Sequence, residues 1–81
     1  KSKEIMSSIN INILGNNPYT HQVGTPYNDQ GATAYNDLGE LVNILTTNNV
    51  NSDVIGSYQV VYHATNKNGI EAENVRLVNV V

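Results

Sequence analysis

Between Gly56 and Thr65 every second residue is apolar or aromatic: Tyr58, Val60, Tyr62 and Ala64 share one side, and Ser57, Gln59, Val61 and His63 the other. That period belongs to a strand with one buried face. Asn68-Gly69 follows within Asn66-Lys67-Asn68-Gly69, and an Asn-Gly pair accepts positive φ at both central positions of a tight turn. The sequence therefore predicts a long hairpin whose second strand runs from Ala72 to Val81. A long hairpin closing a short chain points to an all-β sandwich.

Other segments repeat the signal. Ile9, Ile11 and Ile13 alternate with Asn10 and Asn12, and Gly15-Asn16-Asn17-Pro18 ends that strand as a turn. Tyr19 to Val23 reads as a short edge strand, closed by Gly24-Thr25-Pro26, and Ala32 to Tyr35 as another. Leu41, Ile44 and Leu45 have helical spacing, but Leu41–Thr46 is too short to nucleate a helix alone. It is read as a strand, with Asn36-Asp37-Leu38-Gly39-Glu40 as the loop before it. About seven short strands result, at spacings near 8–12 residues, as in an Ig-like antiparallel β-sandwich over residues 9–81. Residues 1–8 are polar, without period, and read as a linker or leader.

Size and composition set bounds. The chain of 81 residues is one domain, and folding at this size buries only about 60–65% of the unfolded surface, which argues against a deep substrate cavity. Cysteine is absent, so disulfides and thiolate metal sites are excluded. A net charge of −3 with four Lys plus Arg argues against nucleic acid and anionic membranes. No apolar run approaches the ~20 residues of a membrane span, and the opening residues do not read as a signal peptide. Because the chain opens on Lys1, it is expected to be a segment of a larger protein. The fourteen Asn residues suit turns, although a coding bias towards Asn, Ile and Tyr accounts for them equally well.

Four motifs occur in order: Val23-Gly24-Thr25-Pro26-Tyr27, Asp29-x-Gly31-Ala32-Thr33-Ala34, Gly56-x-Tyr58-x-Val60-x-Tyr62-x-Ala64, and Asn68-Gly69, with Arg76 ahead of Val78 and Val80. Over roughly residues 9–81 this resembles the bacterial surface Ig-like repeats of cell-wall adhesins and some pesticidal crystal proteins, which are similar to hyalin repeats. The resemblance implies a seven-stranded sandwich acting as a spacer or adhesion unit, repeated in tandem, with no catalytic residues to carry over. It also implies an extracellular or surface location. Where such repeats often have an acidic Asp-Gly-Asp-like loop, this chain has Asp37-Leu38-Gly39-Glu40.

Individual residues carry further expectations. Gly31 and Gly56 are read as supplying backbone shapes that a β-carbon disfavours. Tyr58 is read either as a tyrosine corner, its phenol bonding backbone, or as a plain core residue. His21 and His63 are read as surface residues, and no serine stands in a nucleophile elbow. The chain is therefore expected to be no enzyme and to need no cofactor. Calcium is the one ion to weigh, on Asp29, Asp37, Glu40 and Asp53, but these lack the run of carboxylates a hard cation needs and read as solvated loop acids. A Lys–Asn isopeptide bond, drawn from Lys3 with Glu4 to Asn74 or Asn79, is a further alternative. Its test is an intact mass lower by one ammonia.

The expected structural core is Ile11, Ile13, Ala34, Tyr58, Val60, Tyr62, Val78 and Val80, extended by Ile9, Ala32, Leu41 and Ile44. Tyr19, Tyr27 and Tyr35 are the candidate ligand contacts, since their rings suit sugar stacking. The expected function is a non-catalytic spacer module of a multidomain surface protein, its partners the neighbouring domains of the same chain. The alternative is an adhesion module for a cell-surface glycan or protein.

Overall fold

A computed structural model of the chain describes residues 8–81. The described residues are all-β, with strands β1 (Ile9–Ile13), β2 (Tyr19–His21), β3 (Ala32–Asn36), β4 (Ile44–Asn48), β5 (Gly56–Thr65) and β6 (Glu71–Val80). Strands β1 and β3 pair antiparallel as one sheet, and the other has the order β2-β6-β5-β4. Ile11 and Ala34 of the small sheet pack on Val60, Tyr62, Ala64, Val78 and Val80 of the large one. The result is an Ig-like sandwich with unequal layers. Lys3 and Glu4, and with them the isopeptide reading, lie outside the described residues. The Asn74 amide donates to the Ile11 carbonyl, and the Asn79 side-chain oxygen accepts from Ser57 Oγ.

Six strands form, not seven. After β3 the chain returns beside it for only one bridge, Tyr35 to Leu41, before crossing to the other sheet as β4. In that extended segment Val42 is buried and Ile44 half-buried, while Leu41 and Leu45 are 70% and 67% exposed. Leu41 is thus not a core residue. Extended backbone turns alternate residues inward, so the helical spacing of Leu41, Ile44 and Leu45 splits between two faces. Ile13 and Tyr58 pack against the core half-buried, because each lies near a strand end.

The hairpin turn differs from the two-residue form expected of Asn-Gly. Only Gly69 has positive φ, at 81°, and Asn68 does not. Gly69 N–H donates to the Asn66 carbonyl and Asn66 N–H to the Ile70 carbonyl, the pattern of a three-residue loop closed by a left-handed glycine. The Asn66 side chain locks it by accepting from the Asn68 and Ile70 N–H groups. Asn36-Asp37-Leu38-Gly39-Glu40 repeats every one of these bonds, with Asn36 accepting from Leu38 and Glu40. Where the resembling repeats often have an acidic Asp-Gly-Asp-like loop, these local bonds make Asp37-Leu38-Gly39-Glu40 a structural twin of the hairpin turn. Asn48 and Asn51 accept from the Val50 and Asp53 N–H groups in the same manner, giving the asparagines a structural use.

One more feature orders the whole molecule. The N-terminal segment runs beside β6 in the same direction for most of its length. Asn74 contacts Ile11, Leu77 N–H donates to the Asn17 side chain, Tyr19 pairs with Val78, and His21 with Val80. Between β1 and β2 the Asn17 amide takes the place of a strand, donating to the Val75 carbonyl while its oxygen accepts from Leu77. Because the two segments are parallel, Ile9 lies towards the start of β6 and Val81 at its far end. The described chain ends are therefore at opposite poles.

Candidate functional site

Ala72, Asn74, Arg76, Val78 and Val80 have one parity on β6, so a sheet that buries Val78 and Val80 also turns Arg76 inward. Arg76 is fully buried, opposite Val60 and beside the fully buried Tyr62. A guanidinium with no access to water must find its partners inside the protein.

It finds them on every nitrogen. Nε donates to Asp29 Oδ1 at 3.1 Å and to Tyr62 Oη at 3.1 Å. Nη2 donates to the carbonyls of Leu14 at 2.6 Å and Gly31 at 3.1 Å, and Nη1 donates to the Asn16 carbonyl. The guanidinium carbon lies 5.9 Å from the centre of the Tyr62 ring. Asp29 is saturated in turn. It accepts from Tyr27 Oη and Tyr62 Oη, both at 2.5 Å, and from Gly31 N–H at 2.9 Å. Gly31 sits at a φ of 82°, which lets its N–H reach Asp29 while its carbonyl faces Arg76. Replacing Gly31 with Ala forces a β-carbon into that region and is expected to cost about 1–2 kcal/mol, read as a lowered denaturation midpoint.

These placements revise several sequence expectations. Asp29 is not a solvated loop acid: its side chain is 14% exposed and paired with Arg76. Tyr27 is half-buried and spends its hydroxyl on Asp29. Tyr19 packs on Tyr27 edge-on, ring centres 5.7 Å apart, and the His21 ring lies against both. Of the three candidate contact rings, Tyr35 is the exposed one, at 43%.

His21 is buried rather than on the surface. Its Nε2 carries the proton, because it faces the Thr25 carbonyl at 2.8 Å while Thr25 Oγ1 donates elsewhere, to Gln22. His63 is half-buried on the outer face beside Glu71 and Glu73, at 3.0 and 3.6 Å. Tyr58 takes the corner geometry: its hydroxyl donates to the Val54 carbonyl at 2.7 Å while its ring packs on the core. Gly56 has ordinary strand backbone, unlike Gly31, and an added β-carbon there meets only the Tyr58 phenol at 3.4 Å.

The network tunes its own charges. Burial alone pushes the Asp29 carboxyl up, but the bonds from Tyr27, Tyr62 and Gly31 and the Arg76 charge outweigh it, holding it below its ordinary 3.8. Burial and the Asp29 carboxylate push Tyr62 and Tyr27 above the ordinary 10.0 of a phenol. Stability should accordingly fall on two flanks. The unfolded chain takes up a proton at Asp29 more readily, so that contribution is present above pH 3.8 and lost as pH falls through the lower folded value. The unfolded chain gives up the phenol protons more readily, so theirs is present below pH 10.0 and lost as pH rises beyond it. Denaturation midpoints across pH check this, and Asp29→Asn should flatten the acid flank.

Among the described residues no three of His, Asp and Glu converge as metal ligands, and Asp37 and Glu40 belong to the second locked turn. No helix among them is long and apolar enough to cross a membrane. A shallow groove between the two locked turns is lined by Asn36, Leu41, Val42, Thr65 and Lys67.

Comparison with known proteins agrees with this architecture. The chain is similar to the crystal structure of a lipoprotein from Bacteroides thetaiotaomicron, with a TM-score of 0.75 at 24% identity. The match covers 91% of this chain and 38% of the lipoprotein, an identity that speaks for the fold alone. No curated protein sequence matches. Residues 11–80 match the family model described as bacterial surface protein, Ig-like domain, and the chain belongs to that family.

Proposed function

We propose that the chain is a non-catalytic spacer module of a multidomain, secreted or surface-anchored bacterial protein, serving adhesion by holding a neighbouring domain away from the cell. The placement of Ile9 and Val81 at opposite poles carries this reading, because consecutive copies joined end to end extend rather than fold back. The network of Arg76, Asp29 and the tyrosines supports it too. Its donors and acceptors are turned on one another, which suits rigidity and occupies the network's own carboxylate and phenols. The partners are then the adjoining domains, and no cofactor is needed.

A fusion of two and then three copies, measured by small-angle scattering, tests the reading. Each added copy should lengthen the particle by a constant increment. Copies that collapse side by side, or hydrolytic turnover that follows the purified chain, contradict it.

The adhesion alternative keeps one observation in its favour, the exposed Tyr35 ring on β3. Saturable binding on a glycan array that Tyr35→Ala abolishes would favour it over the spacer reading.

A further inference from the structure

We propose that the domain bears tension in shear, and that Arg76 is the latch that holds it, tying the β1–β2 crossover to β6. The inference rests on the spacer reading, since the load must enter through the two chain ends.

Strands β2 and β6 are parallel, and the ends that lead out to Ile9 and Val81 are opposite ones. Tension between the termini therefore slides the two strands past each other along a common axis. The Tyr19–Val78 to His21–Val80 rungs carry the load together, joined by the bonds from Val23 N–H to the Val81 carbonyl and from Val81 N–H to the His21 carbonyl. Antiparallel β1 and β3 are loaded along their axis as well.

Between those two ladders the crossover at 14–18 has no strand partner, and there Arg76 intervenes. From β6 it holds the carbonyls of Leu14 and Asn16 on the crossover and Gly31 at the foot of β3. Asn17 adds two bonds to the same stretch of β6. A planar guanidinium reaches these separate carbonyls at once; a lysine ammonium lacks the fork to do so. Charge-assisted bonds of this kind are roughly twice as strong as neutral ones.

Direction separates the latch from ordinary stabilisation. Ile55 and Val81 are neighbours at one end of the β5–β6 ladder, through the Gly56–Val80 pair, and tension between them opens that ladder one rung at a time. A residue that merely stabilises the fold shortens lifetimes for both directions of pull.

Single-molecule force spectroscopy decides the matter. The chain is held through its termini in one series, and through Ile55→Cys and Val81→Cys in the other. At equal force the terminal attachment should outlast the second by at least about tenfold, which corresponds to ~1.4 kcal/mol at the barrier. Arg76→Lys and Asn17→Ala should each shorten the terminal lifetime by a clearly larger factor than the lifetime under the second attachment. If Arg76→Lys does not fold, Asn17→Ala, at an exposed position, makes the comparison alone. Equal lifetimes for the two attachments overturn the proposal, as does equal shortening in both directions by the variants. Either result leaves the spacer reading standing, since a soft module still extends a chain.

Discussion

Replacing Arg76 with Ala is expected to unfold the domain at room temperature. The substitution removes the cation and leaves Asp29, with a side chain 14% exposed, without its charge partner. Breaking a buried pair from one side costs about 3–5 kcal/mol, whereas the whole stability of a chain this long is roughly 4–12 kcal/mol. The Leu14, Asn16 and Gly31 carbonyls lose their donor in the same step. A chemical denaturation curve checks the expectation, with Asp29→Asn beside it. The amide keeps the volume and one acceptor, so it should be destabilised by less than Arg76→Ala. A wild-type midpoint for Arg76→Ala would show that the charge is solvated and the described core wrong.

Tyr62 should give the second largest effect, and two substitutions divide its roles. Tyr62→Ala deletes a fully buried ring from the interface between the sheets, at a cost of about 3–5 kcal/mol, a large share of the domain's stability, and should lower the denaturation midpoint steeply. Tyr62→Phe keeps the ring and removes only the hydroxyl that donates to Asp29 and accepts from Arg76. Loss of a bond to a charged partner costs about 1.5–3 kcal/mol, so Tyr62→Phe should fold with a lowered midpoint. It should also lose part of the alkaline flank, because the phenol responsible is gone. If Tyr62→Phe matches the wild type, the hydroxyl is not part of the network. If Tyr62→Ala does, the buried face has been misassigned.

The two predictions mark where the sequence was legible and where it was not. Alternation along Tyr58–Ala64 and Val78–Val80 located the hairpin and its buried face, because a period of two survives any tertiary arrangement. The same parity included Arg76, and that was the available signal: a lone cation in step with buried valines. Its acid was not legible. Asp29 lies 47 residues away, and although the Asp29-x-Gly31 motif set it apart from Asp53, nothing in that motif named Arg76 as its partner. Nor did composition show that Tyr27 spends its hydroxyl within the protein. The Asn-Gly pair announced a turn correctly but not its form, since Asn66 fixes the loop by bonds that its own type alone does not specify. Leu41 failed for the opposite reason. An apolar residue invites a core assignment, yet a single bridge to Tyr35 leaves it outside.

A charged pair enclosed between the two sheets anchors the fold, and the Arg76 Nε–H proton reports on it directly. By nuclear magnetic resonance that proton should exchange slowly with water and show a contact with the Tyr62 ring. Exchange as fast as that of a guanidinium free in water would contradict the enclosed pair, and with it the rigid spacer built around it.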